Sequence, residues 1–198
     1  GTNNPWEWGI PTSGPMGASS GEKLWATNLS GEYSNRTDAY IESQTISLPS
    51  DKEVVLTFTH WVDMEGSYTL YDYGQVLVSN DNGTTWTNIT PTDEGMYGRR
   101  IQAWSDEEIS LSQYKGQDIK LRFFFHSDIS SQFAGWYIDD VCVLGFDGTQ
   151  ENLYRVTGTE QSNPVEVETM EYSPITVEHR ITGNKPNSYE IVEDAEVQ

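Results

Sequence analysis

The sequence predicts an all-β protein in which two antiparallel sheets form a jelly-roll sandwich. Short runs of alternating apolar and polar residues recur along the first three quarters of the 198-residue chain. Alternation with a period of two is the pattern of a strand that buries one face. Turn-forming residues separate the runs and helical periodicity is almost absent, which is typical of a sandwich or jelly roll.

Eight strands and one helical turn are expected in chain order. The strands are predicted at residues 23–28, 39–48, 53–63, 73–79, 85–89, 99–104, 118–126 and 136–144. A short helical turn is predicted at 111–114, because Gly116 follows it and suits a left-handed stop.

Two of these strands predict where the core lies. In strand 118–126 one face is apolar, with Ile119, Leu121, Phe123 and Phe125. In strand 53–63 one face is formed by Val54, Leu56, Phe58 and His60, and Val55, Thr57, Thr59 and Trp61 form the other. A long strand with so many apolar residues is expected in the middle of a sheet.

The last predicted strand holds two adjacent acids in an apolar run. Strict alternation places Trp136, Ile138, Asp140 and Cys142 on one face and Tyr137, Asp139, Val141 and Val143 on the other. A buried carboxylate without a partner is costly, and carboxylate oxygens are ligands that Ca²⁺ prefers. The pair therefore indicates either a calcium site or a strand end whose acids are solvated or bonded to loop amides.

The character of the chain changes after Gly145. We place a boundary near residue 148, with the sandwich at 1–148 and an acidic, strand-prone extension at 149–198. The extension has too few large apolar residues to bury a core of its own. Its strand-like stretches, 165–170 and 175–182, are expected to pair with a sheet edge, begin a following domain, or add to another subunit.

Composition limits the partners. The formal net charge is −20, from 31 acidic and 11 basic residues, which argues against nucleic acid and against insertion into an anionic membrane. No stretch is apolar enough to span a bilayer. No signal peptide is evident at Gly1, as expected of a mature or excised piece.

Cys142 is the single cysteine and is expected to be a core residue. Richness in Asn, Thr, Ser, Gly, Tyr and Trp favours a secreted or cell-surface protein.

The motif Ser79-x-Asp81-x-Gly83-x-x-Trp86 is similar to the Asp-box of sialidases. It predicts a hairpin turn in which Asp81 accepts backbone N–H groups, Gly83 takes a positive φ and Trp86 packs under the turn. The motif occurs once and without a cluster of arginines, so we interpret it as a fold element and not as a sialidase site.

An enzyme is not predicted. The three histidines, His60, His126 and His179, lie far apart in the sequence, and no metalloprotease helix, nucleophile elbow or phosphate loop is present. With 31 acids some pair of carboxylates is inevitable, so such a pair would not indicate a glycosidase.

Seven motifs, two of them already described, follow one another between residues 6 and 144. They are Trp6-Glu7-Trp8-Gly9, the stretch 21–29 (GEKLWATNL), Tyr40-Ile41-Glu42-Ser43, His60-Trp61, Tyr71-Asp72-Tyr73-Gly74, the stretch 79–86 (SNDNGTTW) and the stretch 135–141 (GWYIDDV). In order and spacing this part of the chain resembles the MAM-like jelly-roll modules of secreted bacterial peptidases, of the immune inhibitor A and bacillopeptidase F type.

The resemblance implies a non-catalytic accessory or binding module, often with a structural calcium ion. In MAM-type domains the closing Ile-Asp-Asp strand and an early Phe-Glu element contribute cation ligands, and the matching residues are Asp139, Asp140 and Glu7. Trp6 stands where the family has Phe, and the disulfides of animal MAM domains are absent. Further metal-ligand candidates are Asp38, Asp72 and Glu22.

Three functional hypotheses follow. The first is a calcium-stabilised accessory module of a secreted or cell-surface protein. The second is a subunit of an extracellular filament or sheath that assembles with calcium by strand addition through residues 165–182. The third is a carbohydrate-binding module at the cell surface, for which the aromatic candidates are Trp104, Tyr68, Tyr71 and Tyr73; the alternative is that tryptophans fill the core and tyrosines line strand surfaces.

Overall fold

The structure, a computed structural model, describes residues 4–66 and 69–146 and the backbone of 154–157 and 166–169. These residues form the strands β1 (Glu7–Gly9), β2 (Leu24–Ala26), β3 (Thr37–Glu42), β4 (Ile46–Ser47), β5 (Glu53–Asp63), β6 (Tyr73–Ser79), β7 (Thr87–Asn88), β8 (Arg100–Ser110), β9 (Asp118–Ser127), β10 (Gly135–Phe146), β11 (Tyr154–Thr157) and β12 (Glu166–Thr169). A single 3₁₀ turn, Ser112–Tyr114, lies among them where a helical turn is predicted.

Two antiparallel sheets carry the fold, as the sequence predicts. The first sheet has the order β1-β2-β10-β5-β8, and the second has the order β3-β9-β6-β7 with β4 paired to β9. Strands β11 and β12 pair with each other, separately from both sheets. The long central strands are β5, β9 and β10, and each was expected from its apolar pattern.

The predicted strand at 39–48 is interrupted. It forms β3 and β4, and at the break the Ser43 hydroxyl accepts the backbone N–H of Leu121 at 2.9 Å. A side chain thus replaces a backbone group in the ladder. Strand β1 was missed because three residues are too short to show a pattern, and β8 runs six residues past its predicted end.

The main core lies between the two sheets and is rich in aromatic rings. Phe58 of β5 meets Phe123 of β9 at a centroid distance of 5.2 Å, and Phe123 meets Trp136 of β10 at 5.9 Å. The four apolar residues predicted for one face of strand 118–126 are all buried. Both predicted core faces are confirmed.

A β-bulge corrects the predicted alternation in β10. The register with β5 shifts between Asp139 and Cys142, and Asp140 has φ 49°. Ile138, Val141 and Val143 therefore share the main core, although strict alternation had placed Ile138 opposite the two valines. The prediction was wrong from Asp140 onwards because an extra residue reverses the order of the faces.

The N-terminal segment covers the outer face of the first sheet. A second apolar cluster on that face contains Leu24, Ala26, Trp61 and Tyr137. Gly14 has φ 75°, and a Cβ there would lie 2.4 Å from the Tyr137 ring. The residue must be glycine for the segment to lie this close to the sheet.

The predicted extension is described only in part. Strand β12 falls within the predicted stretch 165–170, and residues 175–182 lie outside the described residues. The division into a sandwich at 1–148 and an extension at 149–198 stays a prediction.

Candidate functional site

Three acids meet at one end of the sandwich. The carboxylate oxygens of Glu65, Asp72 and Asp128 lie within 4.8 Å of one another, and we call these residues the acid cluster. Glu65 follows the end of β5, Asp72 precedes the start of β6 and Asp128 follows the end of β9. Because β6 and β9 are antiparallel, the start of one lies beside the end of the other.

Asp72 is the most deeply placed member of the acid cluster. Its side chain is 0% exposed and accepts hydrogen bonds from the Tyr33 hydroxyl and, at 2.7 Å, from the backbone N–H of Asp128. The Tyr33 hydroxyl also accepts the backbone N–H of Glu65 at 3.1 Å. A single buried tyrosine therefore holds two members of the cluster in place.

The electrostatics of the acid cluster disfavour three negative charges. Burial raises the pKa of the Asp72 carboxyl, and the nearby charges of Asp128 and Glu65 raise this pKa further, while the hydrogen bonds from Tyr33 and Asp128 oppose the shift. Burial and the hydrogen bond to Asp72 likewise raise the pKa of Tyr33. In the described residues no lysine, arginine or histidine forms an ion pair with any of the three acids.

One buried oxygen of the acid cluster has no hydrogen-bond partner. It is Oε2 of Glu65, which is buried although its residue is partly exposed. A buried polar atom without a partner costs free energy, and hard cations bind carboxylate oxygens of this kind. The three acids therefore fit a calcium ion in donor chemistry.

The acids of β10 are satisfied by the protein itself. Asp139 is 3% exposed, and its two oxygens accept the backbone N–H groups of Asp140 at 2.9 Å and of Ser20 at 3.0 Å. Asp140 accepts the Ser20 hydroxyl at 2.5 Å. These contacts correspond to the loop-amide alternative that the sequence left open.

The other predicted metal ligands lie apart from one another. Glu7 accepts the backbone N–H of Leu29 at 3.0 Å, and Asp38 bonds to Nδ1 of His126 at 2.7 Å. Glu22 is exposed. Of the predicted ligands only Asp72 lies in the acid cluster. Glu65 and Asp128 were not predicted as ligands. The signal that could have indicated them is that each, like Asp72, lies beside the end of a predicted strand.

The aromatic candidates for ligand binding lie on different surfaces. Tyr71 is 51% exposed in the loop before β6, and Tyr73 stacks on His126 with a centroid distance of 4.8 Å. Trp104 packs against the apolar cluster on the outer face of the first sheet. Tyr68 lies outside the described residues.

His60 is a core residue. It is 2% exposed, its Nδ1 accepts Nε1–H of Trp136 at 3.1 Å, and its Nε2 lies 3.4 Å from Oε1 of Glu107. Since Nδ1 is the acceptor, Nε2 carries the proton and points at a carboxylate. Both nitrogens are used inside the fold, so His60 is not available to a substrate.

The turn at 79–86 forms with the predicted contacts at its centre. Asp81 accepts the backbone N–H of Thr85 at 2.8 Å, and Gly83 has φ 87°. The hydrogen bonds from Thr85, followed by one from Ser79, lower the pKa of Asp81 to about 2. Trp86 donates from Nε1 to the Gly83 carbonyl at 3.1 Å.

Comparison with protein families gives the identity of the fold. The family model described as Immune inhibitor A-like, MAM domain, matches residues 18–161. The chain belongs to this family. The resemblance found in the sequence motifs is thereby confirmed, and the sandwich is a MAM domain.

Relatives of this MAM domain are much longer proteins. The chain is 42% identical over 141 residues to bacillopeptidase F of Bacillus subtilis (strain 168). The aligned residues are 71% of this chain and 9% of that protein. It is 31% identical over 137 residues to pre-pro-metalloprotease PrtV of Vibrio cholerae serotype O1 (strain M66-2). Here the aligned residues are 64% of this chain and 14% of that protein. The MAM domain thus corresponds to a small part of each peptidase.

Two solved structures align over most of this chain at low similarity. One is TmCBM61 in complex with β-1,4-galactotriose, with a TM-score of 0.39 and 18% identity, covering 70% of this chain and 87% of that chain. The other is the K1 cleaved adhesin domain of Lys-gingipain from Porphyromonas gingivalis W83, with a TM-score of 0.42 and 15% identity, covering 72% and 85% respectively. Among the described residues, no helix has the length and apolar character that crossing a membrane requires.

Proposed function

We propose that this MAM domain is a non-catalytic accessory module of a peptidase that acts outside the cell, and that calcium stabilises it at the acid cluster. The named relatives are peptidases of which the chain covers only 9% and 14%. The peptidase chemistry is therefore assigned to other parts of such a protein. Membership of the MAM family supports the accessory role.

The non-catalytic role is supported by the two histidines that the structure describes. His60 is closed off by Trp136 and Glu107, and His126 on the second sheet pairs with Asp38. Among the described residues, neither histidine forms a hydrogen bond with a serine, threonine or cysteine. The usual nucleophile and base pair of a hydrolase is thus not assembled there.

The calcium proposal is carried by the unpartnered Oε2 of Glu65 beside the fully buried Asp72. Calcium takes six to eight oxygen ligands, and Glu65, Asp72 and Asp128 would supply the carboxylate oxygens. A divalent cation would offset the repulsion among the three acids and satisfy the free oxygen. Its role would be structural, since it would tie the ends of β5, β6 and β9 together.

Thermal unfolding in excess chelator and in millimolar calcium tests the proposal. A ligand that binds only the folded state at a hundredfold excess over its Kd stabilises by about 2.7 kcal/mol, so calcium is expected to raise the unfolding midpoint. Asp72→Asn is expected to lose this rise. The calcium-induced change in midpoint is the readout, and not the midpoint in chelator, because Asp72 also accepts the Tyr33 hydroxyl and the Asp128 N–H.

Asp139→Asn is the matched variant, because Asp139 is also buried and also accepts two hydrogen bonds but lies outside the acid cluster. It should unfold at a lower temperature than wild type and still respond to calcium. If Asp139→Asn loses the response and Asp72→Asn keeps it, the ion belongs to the acids of β10. A wild-type midpoint that calcium does not move would rule out a structural calcium ion.

A further inference from the structure

The outer face of the second sheet carries several aromatic rings. Tyr40 of β3, Phe124 and His126 of β9 and Tyr73 of β6 point away from the core, because the residues next to them in sequence, such as Ala39, Phe123 and Phe125, are buried. Trp86 joins them from the turn after β6 through its contact with Arg122. We call these five residues, together with Arg122, the aromatic face.

The residues of the aromatic face lie next to one another on three strands. Tyr73 stacks on His126 at 4.8 Å and lies 6.4 Å from Phe124, centroid to centroid. Tyr40 is the register partner of Phe124. The guanidinium of Arg122 lies 3.8 Å from the ring centroid of Tyr40 on one side and of Trp86 on the other.

The charges on this face cancel within it. Glu42 accepts hydrogen bonds from Arg122 at 2.8 Å and from Lys120 at 3.3 Å, and Asp38 bonds to His126 at 2.7 Å. The face is thus close to neutral in a chain whose formal net charge is −20. It is suited to a ligand that is neither strongly cationic nor anionic.

We propose that the aromatic face binds a neutral oligosaccharide. A sugar ring has an apolar C–H face, which packs on exposed aromatic rings, and a rim of hydroxyls, which bond to charged and amide side chains. The face offers both, with Tyr40 43% exposed and the paired charges of Glu42 and Arg122 beside it. Tyrosine and tryptophan supply contact area at low entropic cost, and jelly-roll sandwiches serve as lectins.

Tyr40 and Phe124 of this surface lie apart from the acid cluster, although Tyr73 and His126 are close in sequence to Asp72 and Asp128. The acid cluster lies in the loops beyond the ends of β5, β6 and β9, whereas the aromatic face follows the outside of the second sheet. Sugar binding through the face is therefore expected to persist in chelator. Loss of the calcium response and loss of sugar binding can be told apart in the same preparation.

Affinity electrophoresis tests the proposal with the 198-residue chain. Native gels containing hydroxyethylcellulose, galactan or galactomannan are expected to retard the protein in at least one case. Oligosaccharides from that polysaccharide would then be titrated by calorimetry in chelator. Tyr40→Ala and Phe124→Ala are each expected to weaken binding about tenfold or more, as for an anchoring aromatic side chain.

Trp104→Ala is the control, because Trp104 is an aromatic residue on the outer face of the opposite sheet. It should bind as wild type does, with unfolding midpoints checked for all three variants. The proposal fails if no neutral polysaccharide retards the wild type. It also fails if Trp104→Ala weakens binding while Tyr40→Ala and Phe124→Ala do not.

Discussion

Buried carboxylates in this MAM domain differ in what their oxygens contact. Both oxygens of Asp139 accept backbone N–H groups, whereas Oε2 of Glu65 has no hydrogen-bond partner. An acid whose oxygens are all bonded gains little from a cation, and one with a free buried oxygen gains more. At the residue scale, the hydrogen-bond partners of each acid therefore indicate its role better than its position in a motif.

Glu107 is a residue at which stability should depend on pH. The hydrogen bond to His60, with a smaller contribution from Tyr97, holds the pKa of Glu107 below its ordinary value even though burial opposes this. The folded-state pKa is depressed, so the stabilising contribution is complete above the unfolded pKa of about 4.3 and is lost as pH falls through the lower folded value.

Glu107→Gln removes the charge and keeps a side chain of similar size. The difference in free energy of unfolding between wild type and this variant is expected to be largest near neutral pH and to shrink as the pH falls below about 4.3. Urea unfolding at a series of pH values measures it. A difference that stays constant down to the lowest pH would contradict the role assigned to the Glu107 carboxylate.

At the scale of single elements, Gly74 of β6 allows the two sheets to approach each other closely. A Cβ at this position would lie 2.4 Å from carbons of the Trp136 ring in β10, well inside van der Waals contact. Trp136 is fully buried against Phe123 and Tyr97 and cannot move away without disturbing them. The glycine thus lets the largest core side chain reach across the sandwich.

Gly74→Ala is accordingly expected to destabilise the domain by about 1–3 kcal/mol, the usual cost of overpacking. Gly145→Ala in β10 is the matched control, because the nearest side-chain atoms to a Cβ there lie 3.6 Å away. That variant should change stability by less than about 0.5 kcal/mol. Urea midpoints at unchanged m-value would measure both, and equal effects at the two glycines would argue against the close packing of Trp136.

An edge strand of the first sheet affects whether another chain can pair with this domain. Strand β8 lies at the edge of the first sheet, and Asp106 and Glu108 on it are exposed. Acidic side chains on an edge oppose pairing with another acidic strand. Strand addition through residues 165–182 in a filament or sheath stays a prediction, since most of that stretch lies outside the described residues.

At the scale of the whole molecule, the net charge of −20 works against compactness. Like charges repel in the folded state, and salt screens this repulsion over about 10 Å at 0.1 M. The described residues form few ion pairs compared with the 31 acids of the chain, and most of these pairs are solvent-accessible. Such pairs contribute little to stability, so salt is expected to cost little by screening them.

Sodium chloride is therefore expected to raise the unfolding midpoint in chelator between about 20 mM and 500 mM, a range over which the Debye length falls several-fold. Calorimetry at fixed pH measures the effect. Any calcium response should be compared at constant ionic strength, so that specific binding is separated from screening. A midpoint that falls with salt would mean that attractive ion pairs outweigh the repulsion.

Sequence patterns were sufficient to predict the all-β class, the long central strands and the turn at Asp81 and Gly83. These features depend on alternation and turn chemistry, which are properties of neighbouring residues. The MAM resemblance likewise rested on motifs in a fixed order.

The sequence did not predict which acids meet, because that depends on how distant strands pack together. Glu65, Asp72 and Asp128 come from three strand ends in two sheets, and they converge only through the register of β6 with β9 and the packing of β5 above them. The bulge at Asp140 was also invisible, because one extra residue in a ladder depends on the partner strand and leaves no local pattern. Local periodicity specifies a strand and its faces, whereas a site is specified by contacts between residues that are distant in the chain.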